Sequence, residues 1–173
     1  MSSIVLGGGC FWCLDAAYNQ IRGVSKATSG YSGGHTANPT MDQVYAGNTG
    51  HAEVVKIEYD PKVISLDDIL DIFWSIHDPT TLNRQGNDIG DEYRSIIFYE
   101  NGEQQALILK SIEKAKQVWG DKIVTQVVQL DEFYAATEDQ QDFFEKHPNM
   151  AYCQIVINPK LKKLRDKFAN LLK

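Results

Sequence analysis

Ser3-Ile4-Val5-Leu6-Gly7-Gly8-Gly9-Cys10-Phe11-Trp12-Cys13-Leu14-Asp15 lies near the start of a 173-residue chain and decides how the rest is read. The apolar run Ile4 to Leu6 is followed by three glycines, then by Phe11, Leu14, Ala17, Tyr18 and Ile21 at helical spacing. That pattern is strand, tight turn, helix. Cys10 therefore falls at or near a helix N-terminus, where unpaired backbone N–H groups and the helix dipole favour an anion. Its thiol is expected to ionise more easily than a free cysteine at ~8.5. The glycines are expected to let the backbone approach whatever Cys10 attacks, with no side chains in the way.

Beyond the first helix, Val24 begins a strand, and Tyr31 to Gly50 is a long polar loop holding Asn38-Pro39-Thr40. A loop of that length in a compact domain is more often functional than idle. Ala52, Val54, Val55, Ile57 and Tyr59 mark a buried strand that stops at Asp60-Pro61 and carries Glu53 inside it. Leu66, Ile69, Leu70, Phe73 and Trp74 have helical spacing, with Ser65 as N-cap. A second polar loop, Asn83 to Arg94, reads as the wall of a polar pocket and precedes a strand over Ser95 to Tyr99. Glu103 to Trp119 reads as a helix with Leu107, Ile108, Ile112, Ala115 and Val118 inward, and Val124 to Leu130 as a strand. Asp139 to Lys146 is expected as a helix, and Gln154 to Ile157 as a last strand. Leu161, Leu164, Phe168 and Leu171 mark a C-terminal amphipathic helix with a solvated basic face. Strands and helices mix throughout, which predicts one two-layer α/β (α+β) domain over residues 1–173.

A formal net charge of −6 argues against a nucleic-acid or anionic-membrane surface. No apolar run approaches ~20 residues and the chain opens on a strand pattern, so the expected address is cytoplasmic. Three cysteines, Cys10, Cys13 and Cys153, are too few for a disulfide scaffold and read as reactive thiols.

Cys10-Phe11-Trp12-Cys13 is a C-x-x-C spacing at a strand-to-helix junction. Two buried packing cysteines and a general thiol–disulfide oxidoreductase both remain compatible with it. A zinc site would need a fourth ligand, and only His147 stands near Cys153, so no metal is expected.

Further segments carry a family resemblance. Gly9-Cys10-Phe11-Trp12-Cys13, Gly50-His51-Ala52-Glu53-Val54-Val55, His77-Asp78-Pro79-Thr80, Arg84-Gln85-Gly86-Asn87-Asp88, Tyr93-Arg94-Ser95 and Tyr152-Cys153 follow one another in this order. Together they resemble the A-type peptide methionine sulfoxide reductases along essentially the whole chain. The resemblance implies a ferredoxin-like mixed sheet with helices packed on it. It also implies reduction of the S epimer of methionine sulfoxide, free or in oxidised proteins, by a monomer. No cofactor is implied beyond an external reductant, thioredoxin or dithiothreitol.

Residue by residue, the resemblance makes Cys10 the nucleophile that becomes a sulfenic acid and Glu53 the acid, kept protonated by burial. Tyr93 and Asp88 line the oxygen side, Phe11 and Trp12 pack around the substrate methyl, and His51 belongs to the same lining. Met41 stands where the family's Asn-Pro-Thr-Tyr has its tyrosine, so one hydrogen-bond donor is missing. Tyr93 alone, or Tyr45 reaching in, is expected to fill that role. Cys153 is expected to resolve the sulfenic acid first, from a flexible segment before the last strand, with Cys13 as a second or alternative resolver.

Overall fold

The computed structural model describes residues 1–173. The chain runs β1 (Ser2–Gly7), α1 (Phe11–Tyr18), β2 (Val24–Ser32), α2 (Met41–Tyr45), β3 (Ala52–Tyr59) and α3 (Leu66–Ile76). It continues through the short pair β4 (Arg84–Gln85) and β5 (Asp88–Ile89) to β6 (Ile96–Tyr99), α4 (Gly102–Trp119), β7 (Gln126–Gln129) and β8 (Tyr134–Ala135). It ends in α5 (Phe143–Lys146) and α6 (Asn158–Phe168).

Six strands form one sheet in the order β7-β6-β1-β3-β2-β8. β1 lies antiparallel between β3 and β6, β2 is antiparallel to β3, and only β6 and β7 are parallel. The inner order β6-β1-β3-β2, with α1 and α3 as the two crossovers, is the split β-α-β arrangement expected of a ferredoxin-like sheet. Ile4 and Leu6 join the main core with α1 and α3, whereas Val5 faces the opposite side with Ala52, Val54, Ile96 and Phe98. Burial on both faces explains why Ile4-Val5-Leu6 and Val54-Val55 read as continuous apolar runs instead of alternating ones.

Ser65 caps α3 by accepting the Asp68 N–H at 3.0 Å. The polar loop after β2 contains a helix that its composition hides: Thr40 and Gln43 form a reciprocal capping box that starts α2. In α4 the inward stripe is Gln104, Ile108, Ser111 and Ala115, while Leu107 and Val118 are exposed, contrary to expectation. The Trp74 indole donates to Ser111 Oγ at 2.8 Å, so this contact to α3 fixes which face of α4 turns inward.

Two expectations near the C-terminus fail. Residues 139–146 are not one helix, because Asp142 adopts a left-handed conformation (φ 51) that divides a 3-10 turn at Glu138–Gln140 from α5. Residues 154–157 are not a strand. Cys153–Ile157 is a π-helical turn running into α6, with Cys153 and Ile157 buried and Ile155 73% exposed. The β-branched residues favour a strand, yet Cys153, Ile157, Leu161 and Leu164 bury at helical spacing against the core, so tertiary context decides.

Candidate active site

β1 delivers Cys10 to the start of α1 through the glycine turn. At Gly9, φ is +89, and a Cβ there would stand 2.8 Å from Gln85 Cγ; at Gly8 it would stand 2.9 Å from the His77 ring. The glycines thus let Gln85 and His77 pack against the turn itself. Burial pushes the His77 imidazole down to about 3, making it a neutral wall hydrogen-bonded to Ser95 Oγ at 2.8 Å.

Cys10 is the N-cap of α1, as its sequence position predicts, and its carbonyl accepts the Cys13 N–H at 3.1 Å. Its thiol is 5% exposed. Burial, followed by the charges of Glu53 and Cys13, raises its pKa well above the ordinary thiol range; hydrogen bonds from the Trp12 N–H and the Tyr152 hydroxyl pull the other way and lose. The expected easy ionisation is therefore overturned in the resting protein. Desolvation of a buried thiolate outweighs the helix terminus.

Glu53 sits on β3 directly opposite Tyr31 of β2. It is fully buried, which rules out a solvent-facing role. Its Oε1 accepts the Phe11 N–H at 3.3 Å, and its Oε2 has no partner. Burial raises the carboxyl to about 8; the Phe11 hydrogen bond opposes the rise, and the charges of Glu92 and Asp88 add to it. Near neutral pH Glu53 is a protonated acid beside a protonated thiol.

Around this pair the structure gathers phenols. Burial raises Tyr93, and the charges of Glu53 and Cys10 act on it next. The Tyr93 carbonyl accepts the Gly9 N–H at 3.2 Å, tying its turn to the glycine segment. Tyr45 also lies in the field of Glu53, Cys10 and Tyr93, after burial as the larger cause, although it is half-exposed. Met41, one turn earlier on α2, packs against the core.

Two tyrosines without an assigned role join the site. Tyr31 is buried with its ring 5.5 Å from that of Phe11, and Glu53 and Cys10 act on its phenol. Its place opposite Glu53 was the signal available from a strand pairing. Tyr152 gives its one hydroxyl proton to Asp88 Oδ2 at 2.6 Å and lies beside Cys10 and Cys13, which places Asp88 at the site through a tyrosine. Its neighbour Cys153 was the signal there.

Phe11 is fully buried, so it is a wall. Trp12 is half-buried: its indole N–H donates to Gln140 Oε1 at 3.0 Å, Phe143 stacks on it at 3.6 Å, and Tyr152 meets it edge-on. His51 does not present a free ring nitrogen. Its Nδ1 accepts the Gly34 N–H at 2.9 Å and its Nε2 meets the Thr36 carbonyl at 2.7 Å, so it staples the loop after β2. This corrects its expected place in the substrate lining.

Cys10, Cys13 and Cys153 are all free. Tyr152 links the first two, whereas Cys153 is sealed in the core and burial alone raises its thiol. The flexible segment expected around it is a packed helical turn. Two surface depressions, one of about 470 Å³ between α3, α4 and α6 and one of about 490 Å³ behind the glycine turn, touch none of Cys10, Glu53 or Tyr93. No group of three or more His, Cys, Asp or Glu side chains is arranged to hold a metal ion. No helix is long and apolar enough to cross a membrane.

A family model described as peptide methionine sulfoxide reductase matches residues 2–172. The chain belongs to the peptide methionine sulfoxide reductase family. Its relatives carry the A-type name: the protein called peptide methionine sulfoxide reductase MsrA from Paenarthrobacter aurescens is 52% identical over 169 residues, 98% of this chain and 97% of that one. Among solved structures, reduced Mxr1 from Saccharomyces cerevisiae superposes with a TM-score of 0.82 at 34% identity, covering 88% of each chain. Mxr1 in complex with Trx2 matches with a TM-score of 0.57 at 28% identity, covering 82% of this chain and 84% of that one. Family membership makes the chain a peptide methionine sulfoxide reductase, and the acid beside a buried thiol is the chemistry such an enzyme needs.

Proposed function

We propose that residues 1–173 form one catalytic domain that reduces the S epimer of methionine sulfoxide, free or within oxidised proteins, with Cys10 as nucleophile and Glu53 as acid. The carrying observation is Glu53 itself: fully buried, raised to about 8, and with Oε2 left without a partner beside Cys10. A sulfoxide oxygen accepting from that carboxyl would satisfy the orphan atom.

The Cys10 sulfur attacks the substrate sulfur while Glu53 gives its proton to the sulfoxide oxygen, and the Cys10 proton replaces it on Glu53. The S–S bond made by that attack then breaks as the protonated oxygen passes from the substrate sulfur to Cys10, so one S–O bond is lost on the substrate and one is gained on the enzyme. A thiol and a sulfoxide become a sulfenic acid and a thioether, with no net proton taken up. Tyr93 donates to the oxygen. Tyr45 stands in for the donor absent at Met41, supported by its place one helical turn along α2 and by the charges of Glu53 and Cys10 acting on it. Phe11 and Trp12 wall the methyl slot.

For regeneration we place Cys13 first, which reverses the order expected from the sequence, where Cys153 came first and Cys13 was the alternative. Its thiol attacks the sulfenic sulfur, a disulfide forms and water leaves; Cys153 then exchanges with that disulfide once its helical turn opens. Supporting this order are the places of Cys10 and Cys13 in the first turn of one helix and of Cys153 in a separate packed turn before α6. Thioredoxin is the physiological dithiol, supported by the yeast relative's complex with Trx2, and dithiothreitol substitutes in vitro. No bound cofactor enters any step. The protein acts as a monomer in the cytoplasm, where three unbridged thiols persist.

The competing activity is general disulfide exchange by Cys10 and Cys13, which has no need of Glu53. Glu53→Gln separates the two: loss of sulfoxide reduction with disulfide exchange retained supports the reductase, and unchanged sulfoxide reduction contradicts it. Mass-spectrometric mapping after one turnover should find Cys10 bonded to Cys13. A first bond from Cys10 to Cys153 would reverse the order.

A further inference from the structure

Asp15 is a carboxylate that the chemistry above does not use. It is 1% exposed and sits on α1 three residues after Trp12, which places the two side chains on neighbouring positions of one helix surface. A buried carboxylate is costly unless its oxygens are occupied, and three donors occupy them. Asn19 Nδ2 donates to Oδ1 at 2.7 Å, while Ser29 Oγ and the Asp142 N–H donate to Oδ2 at 3.1 and 2.9 Å.

The last of these bonds reaches out of the domain core to the segment that covers Trp12. Asp142, with its left-handed backbone, turns the chain so that Phe143 lies flat on the indole, centroids 3.6 Å apart and planes 4° from parallel. Gln140, two residues earlier, accepts the indole N–H. Between them the Gln141 amide is pinned to β2: its Oε1 accepts the Ser29 N–H at 2.8 Å and its Nε2 donates to the Ser29 carbonyl at 2.9 Å. One short strap thus grips both the face and the edge of Trp12, and Asp15 fastens it to the helix that carries Trp12.

We propose that Asp15 is a positioning residue for sulfoxide reduction: by holding the Asp142 N–H it fixes the 140–143 strap, and through Phe143 and Gln140 the strap fixes the Trp12 indole as a wall of the substrate slot. The inference rests on the assignment of Trp12 to that slot. Asparagine cannot replace the aspartate silently. It accepts at only one of the two oxygen positions, and Asn19 cannot flip to compensate because its own Oδ1 accepts the Ala27 N–H at 2.9 Å. Protonation should act in the same direction. Burial raises Asp15 to about 6, the Asp142 N–H opposes that rise, and the Asp142 charge adds to it. The groups facing it are Asn19 of its own helix, Ser29 of β2, Asp142 of the strap, and Glu145 of α5 across the same crevice.

The test is steady-state reduction of methionine sulfoxide by the full chain with dithiothreitol. Asp15→Asn should raise KM about tenfold while kcat stays within about twofold, since slot geometry and not the reacting pair is disturbed. In a Trp74→Phe, Trp119→Phe background the remaining indole emission should shift to the red in Asp15→Asn as the strap loosens. The wild-type KM should rise below about pH 6, and Asp15→Glu should restore the low KM. Unchanged KM and emission in a folded Asp15→Asn protein would overturn the proposal. If that variant does not fold, Phe143→Leu, which keeps Asp15 and removes the stack, must show the KM rise; without it the proposal fails. Trp12→Ala is the control for the underlying assignment: an unaltered KM there would sink the slot assignment itself, whereas a raised KM alongside a silent Asp15→Asn would sink only the role of Asp15.

Discussion

The first free N–H of α1, on Phe11, donates to Glu53 Oε1 at 3.3 Å while the next, on Trp12, turns to the Cys10 thiol, so the acid and the nucleophile share one helix terminus. The helix terminus favours the ionised carboxyl and burial outweighs it, so Glu53 keeps its proton with a second oxygen left open to a ligand, and the same burial keeps the thiol neutral. A dithiol oxidoreductase draws reactivity from a stabilised thiolate; here reactivity depends on a proton held ready beside the sulfur.

The pH dependence follows from that proton. Glu53 is protonated below about 8 and loses its proton above it, so sulfoxide reduction should fall as pH rises through about 8. Glu53→Gln should lower kcat/KM by about 10²–10⁴-fold and flatten that alkaline limb, because an amide cannot give up a proton. Initial rates from pH 6 to 10 check both.

The same carboxyl weakens the fold. A group whose folded pKa is raised contributes stability below its unfolded pKa, about 4.3, and loses it as pH rises through the folded value of about 8. Glu53→Gln should therefore raise Tm at pH 7, by more at pH 8, and by almost nothing at pH 4. Calorimetry across that range is the measurement.

Donor redundancy at the oxygen side is testable by single hydroxyl removal. Tyr93→Phe should cost about 10²-fold in kcat, in the range seen for one preorganised donor. Tyr45→Phe should cost less, about tenfold, because its half-exposed phenol remains in exchange with water. Unchanged turnover in Tyr45→Phe would leave Tyr93 as the sole donor.

His51→Ala removes both partners of the loop staple and leaves the Gly34 N–H and Thr36 carbonyl unpaired. Gly34 is exposed and Thr36 half-buried, so each lost bond costs only its net worth of about 0.5–1.5 kcal/mol, about 1–3 kcal/mol for the two. Denaturant unfolding should show a loss in that range, and proteolysis should cut first between residues 33 and 50.

Much of this was legible in the sequence because it is local. Ser65 and the spacing of Leu66 to Trp74 specify α3, and Gly7 to Cys13 specify the turn that puts Cys10 at a helix start. What escaped depends on long-range contacts. Ile155 and Val156 favour a strand, and only the burial of Cys153, Ile157 and Leu161 in the folded core makes the segment helical. Asp142 breaks its helix because a carboxylate 127 residues away accepts its N–H. The ionisation of Cys10 was misjudged because the helix terminus is visible in sequence, while the burial and the Glu53 charge that outweigh it are properties of the folded core. Tyr31 reads in sequence as the start of a polar loop and Tyr152 as the neighbour of Cys153, and their approach to Cys10 needs the β2–β3 register and the C-terminal turn.

The most direct test is a single turnover: pre-reduced protein, stripped of free thiols, mixed with separated S and R epimers of methionine sulfoxide. The S epimer should release methionine in stoichiometric amount, with loss of Cys10 thiol and none released by Cys10→Ser. The R epimer should release none. No methionine from the S epimer, or equal release from Cys10→Ser, would contradict the assignment of Cys10 as the thiol that takes the oxygen.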